Sequence, residues 1–147
     1  MPLRALDTNG YVEILRGGAR AAAIRAALGA AGTELVVLMP VIAEVLQGAR
    51  SAKEAHTLQQ RIVDAVPTRR RLFASPSEWA GTGLRVADML RAGHDPNELK
   101  QRSFWLDVHI AHLCRSRGIV LWTDDGDHKR IEPYVHHRVE PLPTSPS

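Results

Sequence analysis

Leu35-Val36-Val37-Leu38-Met39 is an unbroken apolar run of strand length, without the in–out alternation of a half-exposed strand. A run of this kind suits a strand covered on both faces, as in a parallel sheet. Ile119-Val120-Leu121-Trp122 repeats the pattern far down the chain, Leu3-Arg4-Ala5-Leu6 reads as a short first strand, and Arg71-Leu72-Phe73-Ala74 is a further brief candidate. The stretches between them carry helical grammar. Thr8 to Leu15 is followed by Gly17-Gly18, and Ala19 to Ala31 is rich in the best helix former, with Ile24 and Leu28 on one face. Pro40 opens a short helix through Glu44 to Gln47, which Gly48 can end.

Ser51-Ala52-Lys53-Glu54 is a capping-box pattern for a helix with Ala55, Leu58, Ile62 and Ala65 on its core face. Ser75-Pro76-Ser77-Glu78 starts another, predicted to turn Trp79, Val86 and Leu90 inward and to stop near Gly93. His94-Asp95-Pro96-Asn97 is turn-like, and a helix from Ser103 to Arg117 ends at Gly118. Strands alternating with helices predict an α/β fold, a three-layer α/β/α sandwich with a mostly parallel central sheet of about four to five strands. At 147 residues the chain is expected to form a single domain over 1–140, with 141–147 a flexible C-terminal tail because it is rich in Pro and Ser.

No apolar run reaches the ~20 residues of a membrane span. The start, Met1-Pro2-Leu3-Arg4-Ala5-Leu6-Asp7, lacks the pattern of a signal peptide, so a cytoplasmic location is expected. Cys114 is the one cysteine, which excludes an intrachain disulfide and a thiolate metal cluster. It falls on the apolar side of its helix and reads as a buried, inert thiol.

Four carboxylates sit far apart, each near a strand end or on an early helical turn: Asp7, Glu44, Asp107 and Asp125. In open α/β sheets the functional crevice lies beyond the carboxyl ends of the strands, which is where Asp7 and Asp125 fall. Asp7 also has the plain reading of a helix N-cap. Glu44 shares a face with Val41 and Val45, and Asp107 with Ile110, Ala111 and Cys114. Burying such charges unpaired costs several kcal/mol. A salt bridge to Arg50 is the plain reading for Glu44, and a buried structural Asp for Asp107. Asp124, Asp125 and Asp127 crowd one loop, which a solvated turn also explains.

Four ionised carboxylates roughly 5–7 Å apart repel by about 2–3 kcal/mol per pair at an effective dielectric near 20. Several such pairs would consume a domain's whole stability of about 5–15 kcal/mol. Protonation or a bound cation must relieve this, and oxygen ligation points to Mg²⁺ or Mn²⁺. The net charge is +3, and setting the four acids aside leaves 19 basic against 12 acidic side chains, a shell suited to a polyanion. Other sites fare worse. His109 and His112 at i, i+3, and the adjacent His136-His137, lack a third zinc ligand at a defined spacing. There is no Gly-x-Ser-x-Gly elbow and no Gly-x-x-x-x-Gly-Lys phosphate loop. A haloacid-dehalogenase-type phosphatase needs Asp two residues after the first, where Asn9 stands.

Taken together, the motifs resemble those of the PIN-domain nucleases, and within them the VapC-like toxins of toxin–antitoxin pairs. Leu6-Asp7-Thr8-Asn9, Glu44 with Gly48, Asp107-Val108-His109-Ile110-Ala111 and Thr123-Asp124-Asp125-Gly126-Asp127 match the family's segments in order, over the chain up to about Val139. His128 departs from the pattern, since the family usually has an aromatic there, most often Phe. The resemblance implies a Mg²⁺- or Mn²⁺-dependent endoribonuclease cutting structured RNA such as tRNA or rRNA and leaving a 5′-phosphate. Asp7, Asp107, Glu44 and Asp125 would be its metal ligands, with Asp127 supporting from the rim and Thr123 orienting a ligand or water. Arg69, Arg70 and Arg71 would contact phosphates, against the plain reading of a solvated Arg run. A homodimer and a small antitoxin covering the pocket are implied partners. The competing reading is a PIN-like module that binds RNA or protein without cutting it.

Overall fold

The computed structural model describes residues 3–30 and 32–144. Met1 and Pro2, Ala31 at the expected end of the second helix, and Ser145-Pro146-Ser147 of the expected tail lie outside the described residues. The elements run β1 (Leu3–Leu6), α1 (Thr8–Arg16), α2 (Ala19–Leu28), β2 (Glu34–Leu35), β3 (Val37–Leu38), α3 (Met39–Gln47) and α4 (Ala52–Gln59). They continue with β4 (Arg71–Leu72), α5 (Pro76–Arg91), α6 (Pro96–Leu99), α7 (Arg102–Arg117), β5 (Ile119–Trp122), α8 (Asp127–Val135) and β6 (Arg138–Glu140). The main sheet has the order β2-β1-β5-β6, and every pairing in it is parallel. The expected layered α/β fold is therefore present.

The apolar run that predicted a single strand is divided between two pairings. Glu34–Leu35 pairs with β1, the Val36 N–H still reaches the Arg4 carbonyl at 2.8 Å, and Val37–Leu38 turns to pair with β4. Met39 already belongs to α3, because Pro40 has its φ preset for a first helical turn. Val36, Val37 and Leu38 are buried, as are all four residues of β5. They form one core with Ala5, Leu6, Val41, Ile42, Ile110 and Leu113. A second cluster, Met89, Leu99, Phe104, Val108, Ala111, Ile131 and Val135, joins α5, α6, α7 and α8.

The cap signals formed as read. Ser51 accepts from the Glu54 N–H, and Ser75 and Glu78 make the full capping box. Gly118 ends α7 in the left-handed region at φ 66°. Gly10 serves closeness instead of turning. A Cβ there would lie 3.1 Å from Leu6 Cβ and 3.3 Å from Leu142 Cδ2, so α1 could not sit as near β1.

Three expectations need correction. Trp79 and Leu90 are 49% and 42% exposed, and the inward face of α5 is Glu78, Thr82 and Met89. Its polar members are held there. Arg117 brackets Glu78, and the Thr82 hydroxyl donates to the Glu78 carbonyl and meets His109 Nδ1 at 2.8 Å. Ala65 on the expected core face of the fourth helix is exposed, because Gln60–Asp64 continues α4 as a π-helical turn that rotates the face. The stretch from 141 is not a free tail throughout. Leu142 is buried, its N–H donates to Asp124 Oδ1 at 3.1 Å, and Arg20 Nε donates to the Pro143 carbonyl at 3.2 Å. Cys114 is fully buried, and burial pushes its thiol up.

Candidate metal centre

The carboxyl ends of β1 and β5 lie side by side, with Leu6 opposite Trp122, so the residues following both strands meet at one edge of the sheet. The Asp7 N–H extends that ladder by donating to the Trp122 carbonyl at 3.1 Å. Asp7 is also the N-cap of α1, its Oδ1 accepting from the Thr8 N–H at 2.8 Å. The capping reading is therefore met, by one oxygen of the carboxylate.

Asp7 Oδ2 accepts from the Thr123 hydroxyl at 2.9 Å, and Thr123 Oγ1 in turn accepts the Asp125 N–H at 3.0 Å. Asp125 Oδ1 accepts the Asp127 N–H at 3.0 Å, which curls the loop over the strand end. An open cleft of about 570 Å³ results, lined by Asp7, Thr8, Asn9, Glu44, Ser103, Asp107, Asp125 and Asp127 among others. Five of the sequence-predicted acids thus converge, from the end of β1, α3, α7, the loop after β5 and the start of α8. Thr123 is buried beneath them. Oxygens of Asp107, Asp125 and Asp127 come within 4.8 Å of one another. Asp124 does not join them, since it is salt-bridged to Arg20 and holds the Leu142 N–H.

The protein's own groups leave this site electrostatically unresolved. Burial is the main cause that pushes the Asp107 carboxyl up to about 8; nearby His128 opposes it, and the charges of Asp7, Asp125 and Glu44 add to it. Burial also raises Glu44, helped by Asp7 and Asp125. For Asp7 burial acts upward too, but His128, the Thr8 N–H and the Thr123 hydroxyl outweigh it and hold this carboxyl below its ordinary range. Glu44 Oε1 is buried without a hydrogen-bond partner, and it makes no ion pair with Arg50 among the described residues. Hard oxygen donors that repel one another, one of them unpartnered, fit a divalent cation such as Mg²⁺ or Mn²⁺. Asp107, Asp125 and Asp127 come close enough together to share an ion, while Glu44 is in no such group among the described residues.

His128 is the feature that the sequence signals did not supply. Gly126 starts α8 unannounced, and its second residue, His128, is fully buried with Nε2 3.5 Å from Asp7 Oδ2 and 3.8 Å from Asp107 Oδ1.

The arginine run is placed elsewhere. Arg70 Nε is held by Glu34 at 2.8 Å, and Glu34 stands opposite Leu3, at the other end of β1 from Asp7. Arg71 Nε donates to the Val66 carbonyl, Arg69 is exposed on the same turn, and none of the three lines the cleft. Their expected role as phosphate contacts at this site is not supported by the geometry. Two other arginines stand nearer. Arg16 lines the cleft itself, and Arg102 lines the hollow that adjoins it at Glu44 and Ser103. His109 and His112 do not form a second metal site: His109 is stacked on Trp79, with ring centroids 4.0 Å apart, and His112 lies against Gly81.

A family model described as PIN domain matches residues 4–132. No curated protein sequence matches the chain. Among solved structures, the fold is similar to that of a chain in VapBC-1 from nontypeable Haemophilus influenzae, with a TM-score of 0.63 and 17% identity. That similarity covers 95% of this chain and 98% of the other.

Proposed function

Since the chain belongs to the PIN-domain family, whose members are generally nucleases, we propose that it is a divalent-metal-dependent endoribonuclease and the toxin of a toxin–antitoxin pair. The observation that carries this reading is the convergence of Asp7, Glu44, Asp107, Asp125 and Asp127 on one open cleft.

Asp7, Asp107, Glu44 and Asp125 hold the cation, Thr123 fixes the rotamer of Asp7, and Asp127 shapes the rim. When bound, a Mg²⁺ or Mn²⁺ ion supplies a more acidic water and neutralises charge on the attacked phosphate. Arg16 and Arg102 steer the RNA backbone toward the acids, a role that side-chain cations at a cleft mouth perform at little desolvation cost. The cleft is open to solvent, which suits cutting in unpaired regions of tRNA or rRNA. The proposed homodimer would cover the apolar side chains that Phe73, Trp79 and Leu84 expose on and beside α5. A small antitoxin would regulate activity by occupying the cleft.

Incubation of the purified protein with total RNA tests the reading. Cleavage is expected with Mg²⁺ or Mn²⁺, none in EDTA, and none from Asp7→Asn. Binding of RNA without cutting under every metal condition would favour the non-catalytic module instead.

A further inference from the structure

Among the described residues, one histidine nitrogen shares a ligand group with two of the cleft's acids. His128 Nε2 is fully buried, has no hydrogen-bond partner, and faces Asp7 Oδ2 at 3.5 Å and Asp107 Oδ1 at 3.8 Å. One donor atom from each of the three residues can be chosen so that all lie within 4.8 Å of one another. Two ligands that share one metal at bonds of about 2.0–2.2 Å stand roughly 3.0–3.6 Å apart for angles between octahedral and tetrahedral. The Asp7 spacing falls in that range, and the Asp107 spacing is a small side-chain adjustment beyond it.

The other face of the ring is prepared for the same role. His128 Nδ1 lies 3.2 Å from His137 Nε2, and both rings are buried. In the tautomer where His137 Nε2 accepts from the His128 Nδ1–H, the His128 Nε2 lone pair faces Asp7 and Asp107, as a metal-bound histidine needs.

We propose, resting on the metal-dependent reading above, that His128 Nε2 is a direct ligand of the catalytic cation, with Asp7 and Asp107, so that the site is a mixed nitrogen–oxygen centre. His137 is its positioning residue. Imidazole ligation favours Mn²⁺ and the later divalent ions over Mg²⁺, which prefers oxygen. The wild-type protein should therefore bind Mn²⁺ more tightly than Mg²⁺ by about tenfold or more, and His128→Phe should shrink that ratio about tenfold.

The test is pulsed electron paramagnetic resonance of Mn²⁺ bound to the full chain at pH 8, with and without ¹⁵N-histidine labelling. A single histidine nitrogen coupling in the wild type, changed by the label and lost in His128→Phe and His128→Gln, is the expected result. Circular dichroism establishes that the variants fold. Should neither fold, loss of the coupling in Asp7→Asn supports the assignment, since among the described residues only His128 offers a nitrogen in a ligand group with Asp7. Mn²⁺ bound with no nitrogen coupling would overturn the proposal and leave an all-oxygen nuclease site intact. A coupling that survives removal of His128 would also overturn it. Failure of the wild type to bind Mn²⁺ at all would sink both this inference and the metal-dependent function.

Discussion

The Thr123 hydroxyl donates to Asp7 Oδ2 at 2.9 Å while its oxygen accepts the Asp125 N–H at 3.0 Å, so one side chain ties the end of β1 to the loop after β5. Thr123 thereby links two acids from opposite ends of the chain. Thr123→Val keeps the shape and removes both bonds. Stability should fall by about 1–3 kcal/mol, as two buried polar groups lose a partner. Cleavage should fall by about 10–100-fold through loss of the ligand's orientation. Thr123→Ser should retain most of both. Denaturant unfolding and a cleavage assay check this, and an unaffected Thr123→Val protein would contradict it.

Asp107 is a group the metal-free fold tolerates poorly. Replacing it with Asn removes a buried charge from among three others while preserving its size. Without metal, Asp107→Asn should be more stable than wild type at pH 8, by about 1–2 kcal/mol. Added Mn²⁺ should raise the melting temperature of the wild type and leave that of the variant nearly unchanged. Thermal melts with and without the ion show the crossover directly. A variant less stable than wild type in EDTA would speak against a repulsive site.

The same groups fix the pH dependence of the metal-free protein. Asp107 is raised to about 8, Glu44 is raised, and His128 is raised because Asp7, Asp107 and Asp125 outweigh its burial. All three therefore hold protons in the folded state that the unfolded chain releases at lower pH. Stability from such groups is complete below their unfolded values and lost as pH rises through the folded ones. Asp7 is lowered, so its contribution is already complete above its ordinary value of 3.8 and stays constant across this range. His109, His112 and His137 are lowered by burial, so what they contribute grows as pH rises towards about 6.5 and is constant above it. In EDTA the melting temperature should thus fall between about pH 7 and 9. At this chain length each 1 kcal/mol lost corresponds to about 2–4 °C. Saturating Mn²⁺ should flatten or reverse the trend. A rising melting temperature in EDTA over that window contradicts the assignment.

Arg16 and Arg102, not the 69–71 run, should govern RNA affinity at the cleft. Arg16→Gln and Arg102→Gln should each weaken binding and lower the slope of log K against log salt by about 0.7, the single-strand value per phosphate contact. Neutralising Arg69 should change neither, while Arg70→Gln should cost stability through Glu34. Salt-titrated binding of an uncleavable RNA to the Asp7→Asn protein separates these outcomes.

Much of this architecture could be read from the chain because it rests on local signals. The apolar run at 119–122 became a buried parallel strand and the one at 35–38 was shared between two parallel pairings, while Asp7 and Asp125 lie beyond the carboxyl ends of β1 and β5, the two central strands. What escaped depended on tertiary register. Arg70 was lost to the site because Glu34, opposite Leu3, captures its guanidinium. The inward face of α5 was misjudged because Arg117 and His109 make buried polar positions of Glu78 and Thr82, which displaces Trp79 outward. Leu142 was hidden by the prolines around it, although it packs in the core. His128 stood out as a departure from a family pattern, but only the start of α8 at Asp127 turns its ring toward Asp7.

The gathered acids should bind one divalent cation, and the anomalous difference map of a crystal soaked in Mn²⁺ shows whether they do. A peak within bonding distance of both Asp7 and Asp107 is predicted. A cleft without a peak, in a crystal whose side chains are arranged as described, would contradict the claim.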